Sequence, residues 1–176
     1  MRAIKFRGKD IKTGEWVHGD LHVLCDRPHI HTEPTAYPFA GKRSFIDPDT
    51  IGEFTGLHDK NGKEVYEGDI IAFYVLKTYC INPDCEPHLL GYSERLHKKI
   101  KAVRFEDGIF GVDGEYESIE SLACLGEWAS DEEFMEELKK DPYFDSNGYD
   151  LDDVIGFEVA GNVFDDPALI DKGSEQ

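Results

Sequence analysis

Short runs of alternating apolar and polar residues recur along this chain, separated by clusters of Gly, Asp, Asn and Pro. That pattern is the signature of short strands joined by turns. In residues 2–7, Ile4 and Phe6 fall on one face and Lys5 and Arg7 on the other, which predicts a first strand. Lys12-Thr13-Gly14 is the expected reversal, and Glu15 to Cys25 a second strand or bulged pair with its bulge or break at Gly19. Ile70 to Leu76 is a continuous β-branched and aromatic run and reads as a core strand. Ile100 to Phe105 and Ile109 to Val112 flank Asp107-Gly108, a strong hairpin signal. Val154 to Phe164 closes the pattern, with bends at Gly156 and Gly161. One helix is expected, capped by Ser130-Asp131-Glu132-Glu133 and ended by Asp141-Pro142. Residues 115–125 read as a loop with a helical turn.

These elements predict a mainly-β fold: a small, strongly bent sheet or partly open SH3-like pseudo-barrel with one short helix and long loops. A single domain over residues 1–170 suffices, followed by a tail at 171–176. Irregular insertions are expected at about 26–50, 76–98 and 127–152, the first because it carries Pro28, Pro34, Pro38 and Pro48, which leave room for one short strand in it. Trp16, Phe73, Phe105, Phe110 and Phe157 are the expected core aromatics, with Ile51 and Phe54 buried beside them.

The densest turn chemistry lies at Thr55 to Ile71, TGLHDKNGKEVYEGDII. Asp59-Lys60-Asn61-Gly62 suits a tight turn, Lys63 to Tyr66 a half-buried extended segment, and Glu67-Gly68-Asp69 a second turn in which Asp69 accepts a backbone N–H. Asp and Glu in such positions bond nearby amides far more often than they form a site. This block resembles the signature of the YopX family, small proteins carried by bacteriophages and prophages. Thr55, Gly56, Leu57, Asp59, Asn61, Gly62, Lys63, Val65, Tyr66, Glu67, Gly68, Asp69 and Ile70 all fit its T-G-L-x-D-x-N-G-K-x-[IV]-Y-E-G-D-[IV] pattern. The opening Met1 to Arg7 is similar to the family's M-R-x-I-K-F-R, and Glu158 to Leu169 to its closing V-x-G-N-[IV]-[YF]-E-N-P-x-L. The resemblance implies a mainly-β fold and brings no established activity, cofactor or catalytic residue.

Composition narrows the function. The formal net charge is −18, from 37 acidic and 19 basic residues. Residues 1–112 hold 17 acids and 16 bases, a net of −1, whereas 113–176 hold 20 acids and 3 bases, a net of −17. The acidic third repels phosphate backbones, so direct nucleic-acid binding by it is disfavoured, and a basic partner would be attracted. A solvated face that keeps the protein soluble is the plainer reading. No apolar run reaches membrane-spanning length and no signal peptide opens the chain, so a cytoplasmic protein is expected. Cys25, Cys80, Cys85 and Cys124 are too few and scattered for a disulfide scaffold, in keeping with a reducing compartment.

Candidate chemistry is sparse. Cys80-x4-Cys85-x2-His88, with His97 or Cys25 as a fourth ligand, has the residue types of a zinc site, but its spacing fits no usual knuckle and free thiols are the favoured reading. His29-x-His31-x-Glu33 could chelate a metal if extended; the flanking prolines favour surface histidines in a loop. Asp145 to Asp152 has the composition of a calcium loop without its register. Gly91-Tyr92-Ser93-Glu94-Arg95 lacks the second glycine of a nucleophile elbow, and no phosphate-binding glycine loop or dinucleotide fingerprint appears. No catalytic, cofactor-binding or metal residues are therefore assigned. The expectation is a non-enzymatic accessory protein that binds an unidentified protein partner, self-association being open. The alternatives are an acidic DNA mimic that occupies a DNA-binding protein, and a nucleic-acid-binding SH3-like module.

Overall fold

The computed structural model describes residues 4–33, 41–80, 92–106, 108–112 and 156–171. Ten strands are seen among them: β1 (Phe6–Lys9), β2 (Trp16–Leu24), β3 (Arg27–His31), β4 (Arg43–Phe45), β5 (Gly52–His58), β6 (Glu64–Tyr66), β7 (Asp69–Cys80), β8 (Tyr92–Glu106), β9 (Ile109–Val112) and β10 (Phe157–Asn162). A 3-10 turn covers Pro48–Thr50, and one short helix, α1 (Ala168–Asp171), follows β10. The fold is mainly β, as the alternation predicts. The strands form two antiparallel sheets, ordered β4-β3-β2-β1-β5-β6 and β10-β7-β8-β9, and among the described residues they do not close into a barrel.

The first reversal is where the sequence puts it. Asp10 Oδ1 accepts from the backbone N–H groups of Lys12 and Thr13 at 2.8 and 3.1 Å, and Gly14 takes φ +71°. β2 then changes partner partway along. Residues 16–19 pair with β1 on one edge, and residues 20–24 with β3 on the other. Gly19, at the changeover, has φ +152°, and a Cβ there would lie 1.9 Å from the His31 carbonyl oxygen. It is a close-approach glycine within a continuous strand, not a break.

Residues 26–50 hold two strands, β3 and β4, where the prolines predict an irregular loop with room for one. β2 and β3 form a hairpin through Cys25 and Asp26, whose φ angles are +49° and +59°. Positive φ at both central residues is the type I′ hairpin turn, normally built with Asn and Gly. Pro28 is tolerated because it sits one residue beyond the β3–β4 pairing, where its carbonyl accepts from Ile46 N at 3.2 Å. The expected irregular insertion at 76–98 likewise contains strand: β7 and β8 pair without interruption out to Cys80 opposite Tyr92. The expected insertion at 127–152, the capped helix at Ser130 and the loop at 115–125 lie outside the described residues.

The core lies between the end of the first sheet and the second sheet. Val65, Ile71, Phe73, Val103, Phe110, Val112 and Phe157 form its buried cluster, with Leu57 and Val159 packed against it. Phe54 is buried as expected, and Ile51 half-buried. Phe105, an expected core residue, is 45% exposed: it shares its sheet face with Val103 and packs on its cross-strand partner Phe110 at 4.8 Å between ring centres, but it lies near the end of β8, outside the buried cluster. β1 also departs from its pattern. Ile4 is 70% exposed, whereas Arg7, on the supposed solvent face, is 7% exposed. The reason is a buried charge partner.

Candidate functional site

Arg7 reaches across the junction of the two sheets. Its Nη1 lies 2.6 Å from Asp69 Oδ1, and its Nη2 donates to the Glu67 carbonyl at 3.1 Å. The guanidinium carbon stands 4.6 Å from the centre of the Trp16 ring and 5.1 Å from that of Tyr66, so the charge is held between two aromatic faces. Asp69 Oδ2 accepts the Tyr66 backbone N–H at 2.9 Å, the turn bond expected from the sequence. Burial pushes the Asp69 carboxyl up, against the Arg7 charge and the Tyr66 N–H that favour its ionised form. Gly68 takes φ +80° in this turn, with its Cα facing Phe164 and Val163.

The other acids of the central block are engaged in the same way. Asp59 Oδ1 accepts from Asn61 N at 2.8 Å and Lys63 N at 2.9 Å, while Oδ2 accepts from Val159 N at 3.0 Å. Burial opposes its ionisation, but the N–H groups of Val159, Lys63 and Asn61 together hold the carboxyl below its ordinary range. Glu64 pairs with Lys5 Nζ at 2.6 Å and accepts the Tyr66 hydroxyl at 2.7 Å. The Lys5 bond, with the Tyr66 bond, lowers the Glu64 carboxyl; burial and the Glu64 contact raise the Tyr66 phenol. At the C-terminal block, Asp165 binds Lys9 Nζ, Trp16 Nε1 at 2.9 Å and Asn162 Nδ2 at 2.9 Å, and Lys9 first among these holds it well below the carboxylate range. Asp59, Glu64 and Asp69 therefore bond to amides, cations and a phenol of the scaffold and do not converge on a common point.

A second group of side chains gathers on the β2–β3 face. In that hairpin His22 is opposite His29 and Asp20 opposite His31, and β4 sets Phe45 opposite His29 and Arg43 opposite His31. The ring centres are 4.7 Å apart for His22 and His31, 5.1 Å for His29 and His31, and 5.8 Å for His22 and His29. His29 and His31 are each 3% exposed, so the expectation of surface histidines in a loop is overturned: the segment is a strand, and residues two apart share its face. His29 Nδ1 lies 3.4 Å from the Arg27 carbonyl, whereas both ring nitrogens of His31 lack a hydrogen-bond partner. An unmet buried polar group costs about 1–3 kcal/mol. Burial, then the neighbouring His22, His29 and Arg43, lower the His31 imidazole below its ordinary value, with Asp20 opposing. His22 was no part of the sequence motif; only the hairpin register brings it in. Glu33 is exposed, and among the described residues no group of three His, Cys, Asp or Glu side chains is set to hold a metal ion.

The remaining sequence candidates cannot be placed together. Cys25 is exposed with a free thiol. Cys85, His88 and the segment 145–152 lie outside the described residues, as do the side chains of Cys80, His97 and residues 91–95. No helix among the described residues is long and apolar enough to cross a membrane.

The fold and its junctions define a class: a mainly-β scaffold in which N-terminal, central and C-terminal blocks are tied to one another by carboxylates, Asp59 and Asp69 buried and Asp165 exposed. The sequence model of the YopX protein family matches residues 5–171, nearly the whole chain, and the chain belongs to that family. A crystal structure of protein EF1440 from Enterococcus faecalis is similar at a TM-score of 0.46 and 20% identity, over 97% of this chain and 99% of that one. No curated protein matches the chain.

Proposed function

We propose that this protein is a non-enzymatic accessory protein of phage or prophage type that works by binding another protein. The observation that supports this reading is where the family-pattern polar residues go. Arg7, Asp59, Asp69 and Asp165 are bonded to one another or to scaffold amides, amines and carbonyls. Shared residues spent in this way make a common framework, on which surfaces that differ between members would carry recognition. The test is affinity capture of partners from a bacterial host lysate, joined to sizing of the purified chain. A saturable complex with a defined protein is the expected result; an inert monomer that captures nothing would refute the proposal.

The charge split favours a second reading, in which the region 113–176, at a net of −17, occupies the DNA-binding surface of a basic protein. It requires competition with duplex DNA for that partner, weakening steeply as salt rises. Binding that ignores salt would eliminate it.

A further inference from the structure

The scaffold accounts for Arg7, Asp59 and Asp69, but it offers no use for three imidazoles on one sheet face. We propose that His22 and His31, with His29 beside them, form a site for a divalent transition-metal ion of the zinc class, open to solvent on the His22 side.

The donor chemistry selects the ion. Imidazole nitrogens suit zinc, nickel and copper, whereas magnesium and calcium require a shell of oxygens that this face lacks. Spacing agrees. An imidazole bound through one nitrogen at about 2.0–2.1 Å puts its ring centre about 3.2 Å from the metal, so two rings in a tetrahedral centre stand about 5 Å apart. The separations of His31 from His22 and from His29, 4.7 and 5.1 Å, match that value, while the 5.8 Å between His22 and His29 is wider. With no three ligands already gathered, a closed structural centre is not what the geometry offers. The site is built on the His22–His31 pair, water fills the other positions, and His29 joins only by turning from the Arg27 carbonyl.

The independent sign of a missing ligand is His31 itself, whose side chain is buried while neither ring nitrogen has a partner. His22 is half-buried and Asp20 exposed, so an ion has a route in from that side. Asp20, opposite His31 on β2, favours a cation; Arg43, opposite His31 on β4, opposes one, as does Arg27, whose guanidinium lies over Phe45. The face thus carries one favourable and two unfavourable charges, which points to an ion held by coordination bonds and not by field.

Zinc titration calorimetry on the full chain tests this, in a Cys25→Ser/Cys80→Ser/Cys85→Ser/Cys124→Ser background that removes the competing thiols. One zinc per chain is expected. His22→Ala and His31→Ala should each weaken binding by about tenfold or more, while His58→Ala, outside the cluster, should stay within about twofold. Cobalt should give visible absorption bands that disappear in the same two variants. If His31→Ala does not fold, His22→Ala on the half-buried ring decides alone. No zinc uptake in the thiol-free background, or uptake indifferent to His22→Ala, overturns the proposal.

Discussion

Replacing Asp59 distinguishes a framework acid from a functional one. Its carboxylate accepts three backbone N–H groups, two inside the 59–63 turn and one from Val159, a hundred residues away on β10. A hydrogen bond to a charged acceptor is worth about 1.5–3 kcal/mol net. The two bonds inside the turn share one oxygen and do not add in full, so Asp59→Ala should cost about 3–5 kcal/mol. Asp59→Asn retains one oxygen for the turn but sets an N–H₂ against the Val159 N–H, and should cost about 1–3 kcal/mol. With a urea dependence of about 2 kcal/mol per molar, the alanine variant should lower the unfolding midpoint by about 2 M. The pH dependence follows from the sign. Because the folded carboxyl titrates below its unfolded value of 3.8, its contribution is complete above that value and is lost as the pH falls through the folded one. An alanine variant whose midpoint stays with the wild type, yet which no longer binds a captured partner, would show that Asp59 serves a site and not a turn.

Other consequences can be checked in the same way. Gly19→Ala would force a Cβ to 1.9 Å from the His31 carbonyl, so it should destabilise by about 2 kcal/mol or more and raise amide exchange throughout β2 and β3. Removing one member of the Arg7–Asp69 pair, by Arg7→Met or Asp69→Leu, should cost about 3–5 kcal/mol by leaving a buried charge alone. The double variant should cost clearly less than the sum, and strict additivity in that cycle would deny the coupling. For His31, the folded imidazole titrates below 6.5, so stability is full above that pH and falls as the solution is acidified through the folded value. The loss should be smaller in His31→Leu; an unchanged slope between pH 7.5 and 5.5 would reject it.

Legibility followed local chemistry. The 59–63 turn, the Asp69 cap, the Gly14 reversal and the Ile70 strand depend on residues within a few positions of one another, and each was readable from the string. Arg7 was not. Period-two alternation assigns it to solvent, and only its distant partners, Asp69 and the rings of Trp16 and Tyr66, make its burial favourable. The β2–β3 hairpin is hidden because Cys25 and Asp26 hold positive φ without the Asn-Gly signal. Without that turn in the string, β3 reads as loop and His29 and His31 as surface groups. His22 could have been found only by folding the hairpin on paper and reading its register.

The three stretches of this chain that resemble the family signature are fastened to neighbouring parts of the fold. Arg7 of the opening block is anchored by Asp69 of the central block; Asp59 of the central block holds Val159 of the closing block; and Asp165 of the closing block holds Lys9 and Trp16, just past the opening. The circuit closes through β1 and the start of β2, because Lys9 and Trp16 follow the opening block directly. Cutting one tie should therefore weaken the next one along the chain. Asp165→Ala removes bonds that are largely exposed, and exposed charge pairs contribute about 0–1 kcal/mol, so its effect on stability should be small beside that of Asp59→Ala. If the circuit acts as one unit, the double variant Asp59→Ala/Asp165→Ala will not equal the sum of the singles, because β10 has already been released at Val159. Simple additivity would mean that the three blocks are fastened independently.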